Sequence, residues 1–175
     1  MRALVAAMAL VVAAVGVDRT AIRLSSAATI RVLVFTTTEC PIANRYVPEI
    51  KRLAEKFRAK GVTFTMVYPV PSDTDAMVHD HLARFQIDLP FTRDRGFAMV
   101  KSTKVTVTPE VAVLDEQSRL VYRGRIDDRF VDFGKERMQA TTHDLENALD
   151  AVVSGKRVEV PETRAVGCFL ADLLK

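Results

Sequence analysis

The chain has 175 residues, 49% of them apolar and 27% charged, and a net charge of +3. That length and balance fit one globular domain with a sizeable core. Its Lys and Arg are dispersed, with no basic stripe and no interleaved aromatics, which argues against a nucleic acid partner.

In chain order, Met1-Arg2 gives a positive start to the uninterrupted apolar run ALVAAMALVVAAVGV (3–17). A membrane-spanning helix needs ~20 residues, so the run reads as the core of an export signal, with AVG (14–16) as a small-residue exit. Residues 1–16 are therefore expected to be removed, and the remainder to be periplasmic or extracellular without stable membrane insertion. An uncleaved anchor is the weaker alternative. Outside the cytosol, two cysteines can persist as a disulfide.

TAIRL (20–24) alternates like a short strand, and ATIRVLVF (28–35) reads as a buried central one. After TTTECP, the spacing of Tyr46, Val47, Ile50, Leu53, Ala54 and Phe57 predicts an amphipathic helix closed by Gly61. VTFTMVYPV (62–70) is a second strand. Ser72 is expected to cap a helix that turns Met77, Val78, Leu82 and Phe85 to the core. LPFTRD (89–94) is extended and GFAMVKS (96–102) a short helix. EVAVLD and RLVYRGR form a hairpin across Glu116 to Ser118. A polar insertion from Asp127 to Thr141 leads to a helix carrying Leu145, Ala148, Leu149 and Val152. No linker rich in Gly, Ser or Pro divides the chain. One domain over residues 17–155 and a C-terminal extension over 156–175 are expected.

Cys40 stands where the first strong strand hands over to a helix. Unpaired N–H groups and the helix dipole favour a thiolate there, with Arg45 able to add positive charge and Glu39 to oppose it. A buried structural cysteine is the plainer reading. The histidines do not make a metal site by their spacing: His79 and His81 lie two apart on one helix, and His143 begins another. No C-x-x-C-H haem motif, nucleophile elbow or phosphate-binding glycine loop occurs, so no cofactor or metal is called for.

Three landmarks carry a resemblance. Cys40-Pro41 falls at a helix start, Pro48 lies eight residues later, and Thr108-Pro109 directly precedes a hairpin strand. Together with the strand and helix order, they resemble the thioredoxin-like α/β fold of extracytoplasmic redoxins of the AhpC/TSA and TlpA/ResA type. The resemblance covers roughly residues 20–155 and implies an oxidoreductase, either a thiol-disulfide oxidoreductase or a thiol peroxidase. It implies Cys40 as the attacking thiolate and Pro109 as a cis-proline gate. Thr108 would offer its backbone to a substrate peptide. The implied partners are a protein thiol or disulfide, or a peroxide, with an unspecified electron donor.

The chain also departs from both patterns. Ala43 stands where a C-x-x-C pair would place its second cysteine. Thr37 fits the P-x-x-x-T-x-x-C pattern of peroxiredoxins, but Leu33 replaces its proline. The remaining cysteine, Cys168, has three open roles. It can be a resolving or exchangeable partner of Cys40, a permanent staple worth ~4–5 kcal/mol in the loop-entropy model, or a small hydrophobe between Val166 and Phe169. A non-catalytic binding module closed by a Cys40–Cys168 bridge is the alternative to a catalyst.

Overall fold

The computed structural model describes residues 29–173. The expected cleavable segment and the TAIRL strand lie outside them. Among the described residues, no helix is long and apolar enough to cross a membrane.

A five-stranded sheet in the order β3-β2-β1-β5-β6 forms the centre. β1 (Ile30–Phe35) pairs in parallel with β2 (Val62–Tyr68), and β2 in parallel with β3 (Phe91–Arg93). β5 (Glu110–Leu114) runs antiparallel to β1, and β6 (Leu120–Gly124) antiparallel to β5. β1 is buried on both faces, which explains its nearly continuous apolar sequence. Its alternate residues serve two cores. Val32 and Val34 join Ile50, Leu53 and Phe57 of helix α1 (Pro41–Arg58). Leu33 and Phe35 join Val67, Val70, Val105, Ala112 and Leu170.

The helices fall close to their expected places, with local corrections. α1 runs through Pro48 and ends at Arg58, with Ala59 as its cap residue rather than Gly61. α2 (Asp75–Arg84) is capped by Thr74, not Ser72: the Thr74 hydroxyl accepts the Met77 N–H at 3.2 Å. That start turns Val78 and His81 inward and leaves Met77 exposed. α3 (Ala98–Thr103) leads to the two-residue strand β4 (Val107–Thr108). The polar insertion holds a small hairpin, β7 (Phe130–Asp132) with β8 (Lys135–Glu136), which its polarity concealed. α4 (Asp144–Val153) covers the α1 side of the sheet through Leu145 and Leu149.

The C-terminal extension returns across the molecule. Val158 is buried, and Glu162 forms a parallel bridge with Arg123. The Arg123 N–H donates to the Pro161 carbonyl at 2.9 Å, and the Thr163 N–H to the Arg123 carbonyl at 3.1 Å. Gly124 admits this approach, since a Cβ there would lie 2.2 Å from the Thr163 hydroxyl. Further on, β9 (Cys168–Phe169) pairs antiparallel with β4, placing Thr108 opposite Cys168. Leu170 then enters the second core at the start of α5 (Leu170–Leu173), only 2% exposed.

Candidate active site

The two cysteines, 128 residues apart in sequence, meet at the N-terminus of α1. Cys40 is the N-cap residue, in extended conformation, with Pro41 beginning the helix. No side chain of the cap satisfies the first-turn N–H groups, so that end of the dipole stays open. The Cys168 thiol donates to the Cys40 sulfur at 3.0 Å, and the Cys40 thiol to the Thr108 carbonyl at 3.1 Å. Burial, then the neighbouring Cys40 sulfur, push the Cys168 thiol up to about 12. Cys40 is 1% exposed, whereas Cys168 is half-buried.

The Thr108-Pro109 peptide is cis. Glu110, itself buried, holds the preceding segment: its carboxylate accepts the N–H groups of Thr106 at 2.7 Å and Val107 at 3.3 Å. Burial raises the Glu110 pKa against these donors and the Arg123 guanidinium, 3.4 Å away. Arg123 also pairs with Glu162, so one guanidinium joins this loop to the returning tail. The backbone of Thr108, expected to receive a substrate peptide, is paired with the protein's own Cys168. Gly167 makes that pairing possible, because a Cβ there would lie 2.0 Å from the Thr108 carbonyl oxygen. The Thr108 hydroxyl is buried with no hydrogen-bond partner among the described residues.

The other sequence-derived candidates are less engaged. Thr37 is buried, but its hydroxyl makes no hydrogen bond to either sulfur. The Arg45 guanidinium donates to Glu136 of β8 at 2.7 Å and is largely exposed, so its charge is already matched. Glu39 is exposed. A cavity of about 310 Å³ lies beside these groups, walled by Pro41, Ile42, Phe130, Phe133 and Cys168 and rimmed by the Arg45–Glu136 pair.

A polar network beneath Cys40 was not foreseen. The Thr38 hydroxyl donates to buried Asp73 at 2.6 Å, and the Asn44 amide donates to the Thr38 carbonyl at 3.3 Å. The Asn44 carbonyl lies 2.8 Å from His81 Nε2, and the Tyr68 hydroxyl 2.9 Å from His81 Nδ1. An amide oxygen can only accept, so Nε2 carries the proton and Tyr68 donates to Nδ1. Burial lowers the His81 pKa, which favours that neutral ring. This network fixes the turn that delivers Cys40 to the helix. Asn44, one turn into α1, was the available sequence signal.

Elsewhere, Glu49, His143 and Glu146 bring potential ligand atoms within 4.8 Å of one another. Arg52 pairs with both carboxylates and Lys56 with Glu146, which leaves little negative charge for a cation.

Solved structures share this architecture. A hypothetical protein from Sinorhizobium meliloti 1021 aligns at 24% identity and a TM-score of 0.70, over 82% of this chain and 79% of that one. An uncharacterised conserved protein from Geobacillus kaustophilus gives 24% identity and a TM-score of 0.72, over 82% and 77%. StoA from Bacillus subtilis gives 18% identity and a TM-score of 0.50, over 55% and 72%. These likenesses show a thioredoxin-like fold. No curated protein matches. The Redoxin family model matches residues 6–135, a span that holds Cys40 and Pro109 and ends before Cys168; the chain belongs to the redoxin family, and with it to proteins of thiol redox chemistry.

Proposed function

We propose that the protein is an exported thiol oxidoreductase that cycles between a Cys40/Cys168 dithiol and a Cys40–Cys168 disulfide. The 3.0 Å approach of the two sulfurs across the β4–β9 pair carries this reading. The Cys40 thiolate attacks either a sulfur of a small disulfide or an oxygen of a peroxide. In the first case a mixed disulfide forms and a substrate thiolate leaves. In the second the O–O bond breaks, Cys40 becomes a sulfenic acid, and the alkoxide or hydroxide takes up a proton. Cys168 then attacks the Cys40 sulfur, expelling the second substrate thiolate or water. Burial of Cys40 favours an oxidant small enough to pass the tail.

Cys168→Ser tests the cycle. The variant is expected to hold Cys40 as a sulfenic acid or mixed disulfide after one equivalent of oxidant, as seen by non-reduced peptide mapping, while the wild type closes its own disulfide. A Cys168→Ser protein with no adduct and unchanged stability sinks the reading. Docking of the tail through Leu170 supports a second reading, a permanent staple. The same substitution then lowers stability by about 5 kcal/mol and changes no turnover.

A further inference from the structure

We infer that outside thiols enter through the cavity at Cys168, so that the disulfide form is reduced at Cys168 rather than at Cys40. The inference rests on reversible pairing of the two cysteines, and it names the reductant as a small, uncharged, apolar thiol. Four observations point the same way. Cys168 forms part of the cavity wall, whereas Cys40 does not. Cys40 is 1% exposed. The β4 edge, where an extended polypeptide would add as a strand, is filled by the chain's own β9, and Gly167 seals it against the Thr108 carbonyl. The cavity walls are Pro41, Ile42, Phe130 and Phe133, and the Arg45–Glu136 pair cancels its own charge at the rim.

A volume of about 310 Å³ matches a small organic molecule and is too small for a folded chain. Phe133, which lines it, is 58% exposed. The chemistry follows the access. An incoming thiolate attacks the Cys168 sulfur; its electron pair forms the new S–S bond while the Cys40–Cys168 bond breaks. The Cys40 thiolate leaves into the open N-terminus of α1, where N–H dipoles meet the new negative charge. A second equivalent of the same thiol attacks the mixed disulfide, releasing the oxidised reductant and the Cys168 thiolate, which takes a proton from water. Two thiols are oxidised and one protein disulfide is reduced.

The test uses the mature, oxidised chain with benzyl mercaptan and with 2-mercaptoethanesulfonate, each rate corrected for thiolate fraction. Benzyl mercaptan is expected to react about tenfold faster, an advantage that Phe133→Ala removes. Acid quenching after one equivalent, followed by tryptic mapping, is expected to find the benzyl adduct on the peptide containing Cys168. An adduct on the Cys40 peptide overturns the inference, and so do equal rates for the two thiols. The Cys40→Ser variant separates this inference from the proposed cycle. Its lone Cys168 is expected to exchange with dibenzyl disulfide faster than with the disulfide of mercaptoethanesulfonate, whether or not the natural pair ever closes. Failure of the wild type to form its disulfide, with this preference intact, sinks the cycle and keeps the entry site; loss of the preference sinks the entry site.

Discussion

Burial and the neighbouring Cys40 sulfur hold back the Cys168 thiol, and a third residue without a side chain controls the meeting of the two cysteines. With its thiol pushed up to about 12, Cys168 in the reduced protein should alkylate at pH 8 on the order of a hundredfold more slowly than a free thiol. Iodoacetamide labelling followed by mass spectrometry checks this, and a rate near that of free cysteine would contradict the packed arrangement. Gly167→Ala probes the contact from the other side. Its added Cβ cannot occupy a point 2.0 Å from the Thr108 carbonyl oxygen, so the tail must shift. We expect a loss of about 1–3 kcal/mol in stability and slower closure of the Cys40–Cys168 disulfide under a small oxidant. Unchanged closure would place the backbone approach elsewhere. At this scale, Cys40, Thr108 and Pro109 were legible because each is marked by its neighbours in sequence. Glu110, Asp73 and His81 were not, because their meaning comes from backbone groups and side chains that only the fold brings near. His81 read as one of two unrelated helical histidines.

At the scale of elements, strands and helices followed from periodicity, as β1 and α1 show. The errors fell where periodicity is silent. Polar residues between Asp127 and Thr141 hid the β7–β8 hairpin, a two-strand feature too short to leave an alternating pattern. The pairing of the tail with β4 leaves no periodic pattern either, since it spans two residues and rests on Gly167 fitting against the Thr108 carbonyl oxygen. Leu170 is the plug of that tail. Leu170→Ala removes a buried side chain that would cost about 2–5 kcal/mol in a closed core. Because a two-residue strand pair and a four-residue helix hold it, the tail can peel away before the rest unfolds, and this local opening limits the global loss. The expected signature is faster Cys168 alkylation with a smaller change in Tm than a core leucine such as Leu149 gives. Equal losses from both would show that the tail unfolds only with the whole domain.

For the molecule as a whole, neutral His81 links acid stability to the turn before Cys40. Its folded pKa is lowered, so the unfolded chain takes up the proton first. This contribution is fully present above the unfolded value of about 6.5 and is lost as pH falls below it. Chemical denaturation at a series of pH values between 7.5 and 5 should show stability falling toward acid, with a flatter profile in His81→Gln. Parallel profiles would remove His81 as the cause. Processing belongs to this scale too: intact mass of protein from its own host is expected to lack residues 1–16, and a membrane fraction retaining Met1 would indicate an anchor instead.

The tail is held at two stations, Pro161 to Thr163 on the edge of β6 and Leu170 in the second core, with Cys168 between them. Whatever free energy fastens those stations raises the effective concentration of one sulfur at the other, and so would stabilise the proposed disulfide between them. Docking strength and electron affinity thereby become two readings of one quantity. Loosening the tail at Val158 or at Thr163, well before Cys168 in the chain, should make the disulfide easier to reduce, by about 30 mV for each 1.4 kcal/mol of docking lost. The protein's potential would then be set less by its sulfur chemistry than by how firmly its tail is docked at those two stations.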